Sequence, residues 1–150
     1  MVIVRMLGRS HPLDLGKTWG GRRILGDGKT FEGLLSGLLV GLAVSAVLGL
    51  LGAWPYRAVE EAVLVVLGAL VGDVAGSFVK RRLGLPRGSS APLMDQLGFV
   101  LFALIFASLP RGPPRWALLE PLAAVLTITA ALHLGTNALA YFLRLKDRWY

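Results

Sequence analysis

Cysteine is absent from this chain of 150 residues, and histidine and acidic residues are scarce, with 2 and 9 respectively. The absence of cysteine excludes a disulfide framework and any thiolate metal site. A metal site would have to use oxygen or imidazole ligands, which favours hard cations such as Mg²⁺.

Apolar residues are abundant instead: 55% of the chain is hydrophobic and only 17% is charged. The mean hydropathy of +0.64 is too high for a soluble domain of this length. A helix needs about 20 apolar residues to cross a hydrocarbon core of roughly 30 Å. Residues 33–56 and 121–143 contain no charge, and residues 62–79 and 96–109 each have one carboxylate in or beside them. We predict an all-α integral membrane protein, one transmembrane domain over 1–150, with about four helices near 33–56, 62–79, 95–110 and 119–143.

The basic residues predict the orientation of these helices, because cytoplasmic segments near membrane spans are enriched in Lys and Arg. Of the 16 basic residues, thirteen lie in segment 1–32, in loop 80–95 or after the fourth helix. We therefore expect a multi-pass protein of the cell membrane with both termini and these two segments on the cytoplasmic face. Since the basic residues occupy short stretches between apolar runs, they favour topology signals and anion sites over nucleic-acid binding.

Small residues recur at intervals of four within the predicted spans, at Gly37 and Gly41 and at Gly68, Gly72 and Gly76. In lipid this spacing allows close approach of helix backbones, so we expect these glycines to pack helices together. His133 and Asn137, one turn apart on the fourth span, are also expected to be packed residues and not ligands.

A near-repeat places Gly16-Lys17-Thr18 and Gly28-Lys29-Thr30 twelve residues apart. The glycine that a nucleotide-binding P-loop requires five positions earlier is missing from both copies. Glycine N–H groups with Lys and Thr donors remain suited to phosphate oxygens. A loop lying flat on anionic headgroups would have a similar sequence, and both interpretations stay open.

Asp73 is a carboxylate inside a predicted span, where it costs roughly 2.5–3.5 kcal/mol unless it has a partner or a cavity. Helical spacing aligns it with Ser77 and with Lys80 or Arg81. A structural ion pair with Lys80 or a nearby Arg is one interpretation, and a functional site is the other.

Asp95 stands where the next span begins, after the polar loop, and could cap that helix. Antiparallel helices would return Asp95 to about the depth of Asp73. Two carboxylates beside several cations at one cytoplasmic mouth would suit Mg²⁺ and a nucleoside triphosphate. A small transporter or channel using Asp73 and Asp95 is the alternative, although the ionisable residues cluster at one face. A non-catalytic protein that binds anionic lipids would explain the basic loops but not both carboxylates.

Together these segments resemble the CDP-archaeol synthase family, the archaeal CTP:geranylgeranylglycerol-phosphate cytidylyltransferases. The matching segments are Pro12–Thr18, Arg22–Gly33, Gly72–Arg82 and Asp95–Leu97. Ser77-Phe78-Val79-Lys80-Arg81 followed by Asp95 is more distantly similar to bacterial CDP-diacylglycerol synthases.

The resemblance implies attack of an isoprenoid lipid phosphate on the α-phosphorus of CTP, with Mg²⁺ as cofactor and release of pyrophosphate. It implies that Asp73 and Asp95 bind the metal and, with Lys80, are catalytic. The residues it assigns to CTP or lipid phosphate are Lys17, Thr18, Arg22, Arg23, Asp27, Lys29, Thr30, Ser77, Arg81 and Arg82.

The family pattern also leads us to expect an additional apolar helix before Pro12, where this sequence has only a short segment. Either this chain starts late or the family's first span is absent. If it is absent, the lipid groove is incompletely walled or a neighbouring protomer closes it. A homo-oligomer is therefore among the expected assemblies.

The predicted orientation can be tested at Gly112, in the loop between the third and fourth spans. A Gly112→Cys variant carries a single thiol, because the chain has no other cysteine. We expect a membrane-impermeant maleimide to label it from the outer face. Labelling from the cytoplasmic face alone would contradict the orientation.

Overall fold

The computed structural model describes residues 10–85 and 92–143, and for residues 92–96, 133, 137 and 140 it describes the backbone only. Segments 1–9, 86–91 and 144–150 lie outside the described part. The helices and strands, in chain order, are β1 (Thr18–Trp19), β2 (Arg22–Arg23), α1 (Phe31–Leu50), α2 (Val59–Arg82), α3 (Pro92–Ser108) and α4 (Leu119–Phe142), with a 3₁₀ turn at Arg115–Ala117 before α4.

The predicted mainly helical architecture is confirmed. Within the described residues, α1, α2 and the stretch Leu119–Thr136 of α4 are long and apolar enough to cross a membrane. With 17 residues, α3 is shorter and stands at the lower limit for a span. Four spans is therefore an approximate description.

The strands β1 and β2 form a small antiparallel hairpin that the sequence analysis did not anticipate. Thr18 pairs with Arg23 and Trp19 with Arg22. Gly20 and Gly21 link the strands with φ values of +59° and +74°. A two-residue hairpin turn of this kind needs positive φ at both positions, which glycine adopts without strain.

The first helix is shifted from its predicted range of 33–56. It begins at Phe31 because Thr30 is its N-cap and accepts a hydrogen bond from the backbone N–H of Gly33 at 3.1 Å. It ends at Leu50, and Gly52, with a φ of +70°, reverses the chain. Residues 51–56 are uncharged but not helical, so lack of charge alone overestimated the helix.

The second helix is longer than the predicted 62–79, since Glu60 and Glu61 lie in its first turn and Lys80–Arg82 in its last. Charges of these signs interact favourably with the helix dipole at those ends. Lys80–Arg82 therefore belong to α2 and not to the predicted loop 80–95.

The third helix begins at Pro92, so Asp95 lies inside its first turn and is not the predicted N-cap. Proline suits the first turn of a helix for two reasons. Its fixed φ is helical, and the N–H group that it lacks would have no partner within the helix at that position. The fourth helix, predicted at 119–143, agrees within one residue at its end. The side chains of His133 and Asn137 on this helix lie outside the described part.

Backbone contact between α2 and α3 forms the centre of the bundle. A Cβ atom added to Gly68 would lie 2.5 Å from the carbonyl oxygen of Phe102, and one added to Gly72 would lie 2.6 Å from Cα of Phe99. The predicted packing role of these two glycines is confirmed. On the other side of α2, Gly37 and Gly41 of α1 receive the side chains of Leu70 and Val66.

At the end of the bundle opposite the hairpin, Arg57 joins α2 to the end of α3. Its guanidinium donates to Glu61 at 2.7 Å, and the side chain of Glu61 is 1% exposed. It also donates to the backbone carbonyls of Ala107, Arg111 and Gly112 at 2.9–3.1 Å. Ala107 lies in the last turn of α3, where carbonyls have no partner within the helix, and Arg111 and Gly112 follow that turn, so Arg57 caps the end of α3.

The close contact of α2 with α3 predicts that Gly68→Ala is destabilising, by about 1–3 kcal/mol, since the added methyl group meets backbone that cannot rotate away. Gly135→Ala is a matched control, because a Cβ there meets nothing within 4 Å. We expect the thermal unfolding midpoint in detergent to fall for Gly68→Ala and to stay or rise for Gly135→Ala. Equal midpoints would contradict the packing role.

Candidate functional site

The segment from His11 to Thr30 forms a closed loop at the start of α1. Backbone hydrogen bonds from Leu13 to Lys29 at 2.8 Å and from Phe31 to His11 at 3.0 Å join its two ends. The carboxylate of Glu32, in the first turn of α1, accepts from the backbone N–H of His11 at 3.0 Å. The loop therefore begins and ends beside the first turn of α1.

A buried carboxylate, Asp14, organises the interior of this loop. It accepts from the backbone N–H groups of Gly16, Leu25 and Gly26 at 2.9–3.1 Å. It also accepts two hydrogen bonds from the guanidinium of Arg23, at 2.6 and 3.2 Å. Bidentate pairs of this type are among the strongest hydrogen bonds in proteins. Asp14 therefore fixes the path of the loop.

The Arg23 guanidinium, followed by the backbone N–H groups, holds the pKa of Asp14 well below its ordinary value of 3.8. A carboxyl group whose folded pKa is depressed stabilises the fold above its unfolded pKa and loses that effect as the pH falls through the folded value. The contribution of Asp14 is therefore complete at neutral and mildly acidic pH.

Arg82, at the end of α2, attaches the hairpin to the helix bundle. Its guanidinium donates to the backbone carbonyls of Trp19, Arg22 and Arg23. The same group lies 5.5 Å from the ring centroid of Trp19 and 5.4 Å from that of Phe78, and these two rings stack at 5.9 Å. These contacts hold the hairpin against the last turns of α2.

The attached loop places Lys29 against Asp73. The ammonium nitrogen of Lys29 lies 2.6 Å from Oδ2 of Asp73, which is on the neighbouring helix α2. The Asp73 side chain is 57% exposed and that of Lys29 is 24% exposed. The partner that Asp73 needs in an apolar helix is thus supplied by the Gly-Lys-Thr loop.

Two clefts meet at this ion pair. A small one of about 130 Å³ lies against the loop and is lined by Gly28, Lys29, Thr30 and Asp73, among others. A larger, mainly apolar cleft of about 650 Å³ runs along α1 and α2, and Asp73 and Lys80 contribute to its lining. Asp73 therefore lines both the small cleft beside the Gly-Lys-Thr loop and the longer cleft along α1 and α2.

The contact between α2 and α3 indicates where Asp95 lies. Gly68 meets Phe102 and Ala103, and Gly72 meets Gly98 and Phe99. Continuing this antiparallel register brings the backbone of Asp95 level with Gly76, about 5 Å along the axis from Asp73 at 1.5 Å per residue. The side chain of Asp95 lies outside the described part, so the distance between the two carboxylates stays untested.

The predicted site residues thus fall into two groups. Lys29 and Asp73 line the small cleft, Asp73 and Lys80 line the larger one, and Ser77, on the same helix as Asp73 and Lys80, is buried. In the other group, the guanidinium of Arg23 is paired with Asp14 and Asp27, and that of Arg82 with hairpin carbonyls. The phosphate-binding role of those two arginines stays a prediction.

The five remaining predicted residues described here lie in the loop, the hairpin and the last turn of α2. Thr30 caps α1. Arg22 donates to the carbonyl of Arg82 at 3.1 Å and packs beside Gly84. Lys17 and Thr18 are exposed on the hairpin. Arg81 lies in the last turn of α2 and has an interaction of its own.

Asp14 was not among the predicted site residues. The signal that could have indicated it is the Pro12-Leu13-Asp14 sequence followed by glycines at 16, 20 and 21. A short acidic side chain among glycines is typical of a turn in which the carboxylate binds nearby backbone N–H groups.

The sequence matches, over residues 2–150, the model of a family described as CarS-like: CDP-archaeol synthase. A CDP-archaeol synthase of Methanopyrus kandleri is 43% identical over 145 residues, which cover 95% of this chain and 81% of that protein. One of Pyrococcus furiosus is 44% identical over 148 residues, covering 95% and 85%. The fold is similar to a solved structure described as an intramembrane enzyme for archaeal membrane lipids biosynthesis, with a TM-score of 0.70 and 45% identity over 89% of this chain and 83% of that one.

The role of Asp14 can be tested with Asp14→Asn, which removes the charge that pairs with Arg23. We expect destabilisation of the loop by about 2–3 kcal/mol, the range for hydrogen bonds to charged groups. Trypsin should then cleave more rapidly after Lys17, Arg22 and Arg23. Asp27→Asn is the matched control, because Asp27 is 57% exposed and pairs with Arg23 at the surface. Equal cleavage rates in the two variants would contradict the role of Asp14.

Proposed function

The chain belongs to the CDP-archaeol synthase family, and from this premise we propose that it transfers the cytidylyl group of CTP to the phosphate of an isoprenoid ether lipid. The products are CDP-archaeol and pyrophosphate, and the reaction serves membrane phospholipid biosynthesis.

The observation that carries this proposal is the ion pair of Lys29 and Asp73 at the junction of the two clefts. An enzyme that joins a nucleotide to a lipid needs a cation for phosphates beside an apolar site for the lipid chain. Lys29 in the small cleft supplies such a cation, and the larger, mainly apolar cleft suits a lipid chain.

In the proposed reaction, an oxygen of the lipid phosphate attacks the α-phosphorus of CTP. A new P–O bond forms, the bond from the α-phosphorus to the bridging oxygen of the β-phosphate breaks, and pyrophosphate leaves. The lipid phosphate is already anionic, so no general base is required. The protein must position two anions and reduce their repulsion, for which Lys29 and Lys80 are placed.

The residues present fit a magnesium ion, which we propose as the cofactor. Asp73 offers a half-exposed carboxylate that already attracts a cation, and Asp95 lies in the first turn of the adjacent helix, about 5 Å away along the axis. Residues 10–85 and 97–143 contain no group of three or more candidate metal-binding side chains. Mg²⁺ usually takes one or two carboxylates and completes its shell with substrate phosphates and water. When bound there, the ion would neutralise charge on the triphosphate.

We further propose that the side of the bundle that carries the Lys29–Asp73 pair faces the cytoplasm. The ion pair lies in the half of α2 that leads to Lys80–Arg82 and the attached basic loop, whereas Glu60 and Glu61 lie at the other end of the helix. The excess of basic residues on the cytoplasmic side of membrane spans supports this orientation. CTP from the cytoplasm would then reach the small cleft directly.

The proposal predicts that the purified protein releases pyrophosphate when given Mg²⁺, CTP and an isoprenoid glycerol phosphate. Asp73→Asn and Asp95→Asn should each abolish turnover, because an amide does not replace a carboxylate beside a triphosphate and its metal ion. Glu60→Gln is the matched control, since this exposed carboxylate pairs with Arg111 at the far end of the bundle. Full turnover in both aspartate variants, with unfolding midpoints like that of the control, would refute the assignment.

A further inference from the structure

Tyr56, from the loop between α1 and α2, contributes to the lining of the apolar cleft. The lining runs from Lys80 and Asp73 along both helices to Ser45 and Tyr56. The hydroxyl oxygens of Ser45 and Tyr56 are 3.3 Å apart. An otherwise apolar space is therefore lined in part by a pair of hydroxyl groups and an aromatic ring.

Hydrogen bonding fixes the position of this ring. Ser45 is 4% exposed, and its hydroxyl donates to the backbone carbonyl of Gly41 at 3.0 Å. Since the proton of Ser45 is used in that bond, the hydroxyl of Tyr56 acts as donor to Ser45. A buried tyrosine hydroxyl normally has such a partner, and here it ties the loop to α1.

The neighbouring Trp54 supports Tyr56 from the other side. The two rings meet edge to face with their centroids 5.3 Å apart. Trp54 in turn packs on Gly49, where a Cβ atom would lie 2.9 Å from the indole ring. The loop thus folds back along the end of α1, which brings Tyr56 into the cleft.

The depth of the cleft follows from the register of the helices. Gly37 meets Leu70 and Gly41 meets Val66, so Ser45 lies level with Ala62. Eleven residues separate that level from Asp73, or about 16 Å of helix axis. A hydrocarbon core is roughly 30 Å thick, so this depth corresponds to about one leaflet. The extended chain of a lipid whose phosphate lies beside Asp73 would reach Tyr56.

We propose that Tyr56 determines the length of the isoprenoid chain that the lipid phosphate carries, by closing the outer end of the cleft. The occupant is one chain of the lipid substrate, because the cleft is continuous with Asp73 and Lys80, where the phosphate reacts. This inference rests on the proposed function and adds a specificity-determining residue to it. A chain one isoprene unit too long meets the fixed ring and cannot seat its phosphate beside Asp73.

The test compares kcat/KM for lipid phosphates whose chains differ by one isoprene unit, with CTP and Mg²⁺ and the full chain in mixed micelles. The wild-type protein should discriminate against the longer chain by at least about tenfold, as expected for a filled apolar pocket. Tyr56→Ala should abolish that preference by opening the cleft. Tyr56→Phe should keep it, because the ring stays in place.

A second variant acts in the opposite direction without relying on the loop. Val44, next to Ser45 in the chain, lines the cleft and is 54% exposed. Val44→Phe therefore adds volume to this part of the cleft with little effect on folding. It should shift the preference towards shorter chains. Tyr141→Ala is the control for loss of a tyrosine, because Tyr141 lies on α4 outside the cleft lining, and its length preference should equal that of the wild type.

The outcomes separate the two proposals. A purely structural role for Tyr56 would lower kcat/KM for all chain lengths by the same factor, and this result would overturn the inference. So would equal turnover of both lengths by the wild type, although the proposed function would stand. Absence of turnover with every lipid phosphate in the wild type would instead refute the function itself.

Discussion

A carboxylate in an apolar helix needs a cation, and the arrangement of this protein depends on how Asp73 meets that need. The partner does not come from α2 itself but from the loop before α1, whose Lys29 lies 2.6 Å away. The ion pair therefore joins the loop before α1 to helix α2. The pair is also partly exposed, and Asp73 lines two clefts of different size. An exposed pair of this kind can exchange partners with an anionic substrate at little cost, whereas a fully buried pair could not.

The position of Lys29 depends in turn on hydrogen bonds within the fold. Asp14 gathers backbone N–H groups and Arg23 into a fixed loop, and Arg82 fastens the hairpin to α2 through backbone carbonyls and two aromatic rings. Two arginines in a basic segment thus have structural contacts, and Lys29 supplies the charge at the ion pair. The basic residues of this protein therefore differ in their contacts: Arg23 and Arg82 bind groups of the fold itself, and Lys29 lines a cleft.

Much of the fold could be predicted from composition alone, because helices in lipid must be long and apolar whatever their neighbours. Boundaries were less predictable: residues 51–56 carry no charge, yet Gly52 ends the helix before them. The hairpin escaped detection because two residues per strand give no periodicity, and only Gly20-Gly21 indicated a turn. For the site, Asp73 and Lys29 could each be identified, since an intramembrane carboxylate and a glycine-flanked lysine are unusual. Arg23 pairs with carboxylates of its own loop, and Arg82 pairs with backbone carbonyls of the hairpin. These pairings depend on how the chain folds, and residue spacing in one sequence does not reveal them.

The larger cleft lies on the surface of the helix bundle, since Val44 in its lining is half-exposed and α1 presents further apolar side chains outward, among them Leu39 and Val40. In a bilayer, those exposed surfaces adjoin acyl or isoprenoid tails and not water. The proposed lipid substrate would therefore enter sideways, by diffusion in two dimensions, without leaving its leaflet. The quantity that governs occupancy is then the mole fraction of that lipid in the membrane. Added detergent dilutes this fraction even when the total amount in the tube is constant.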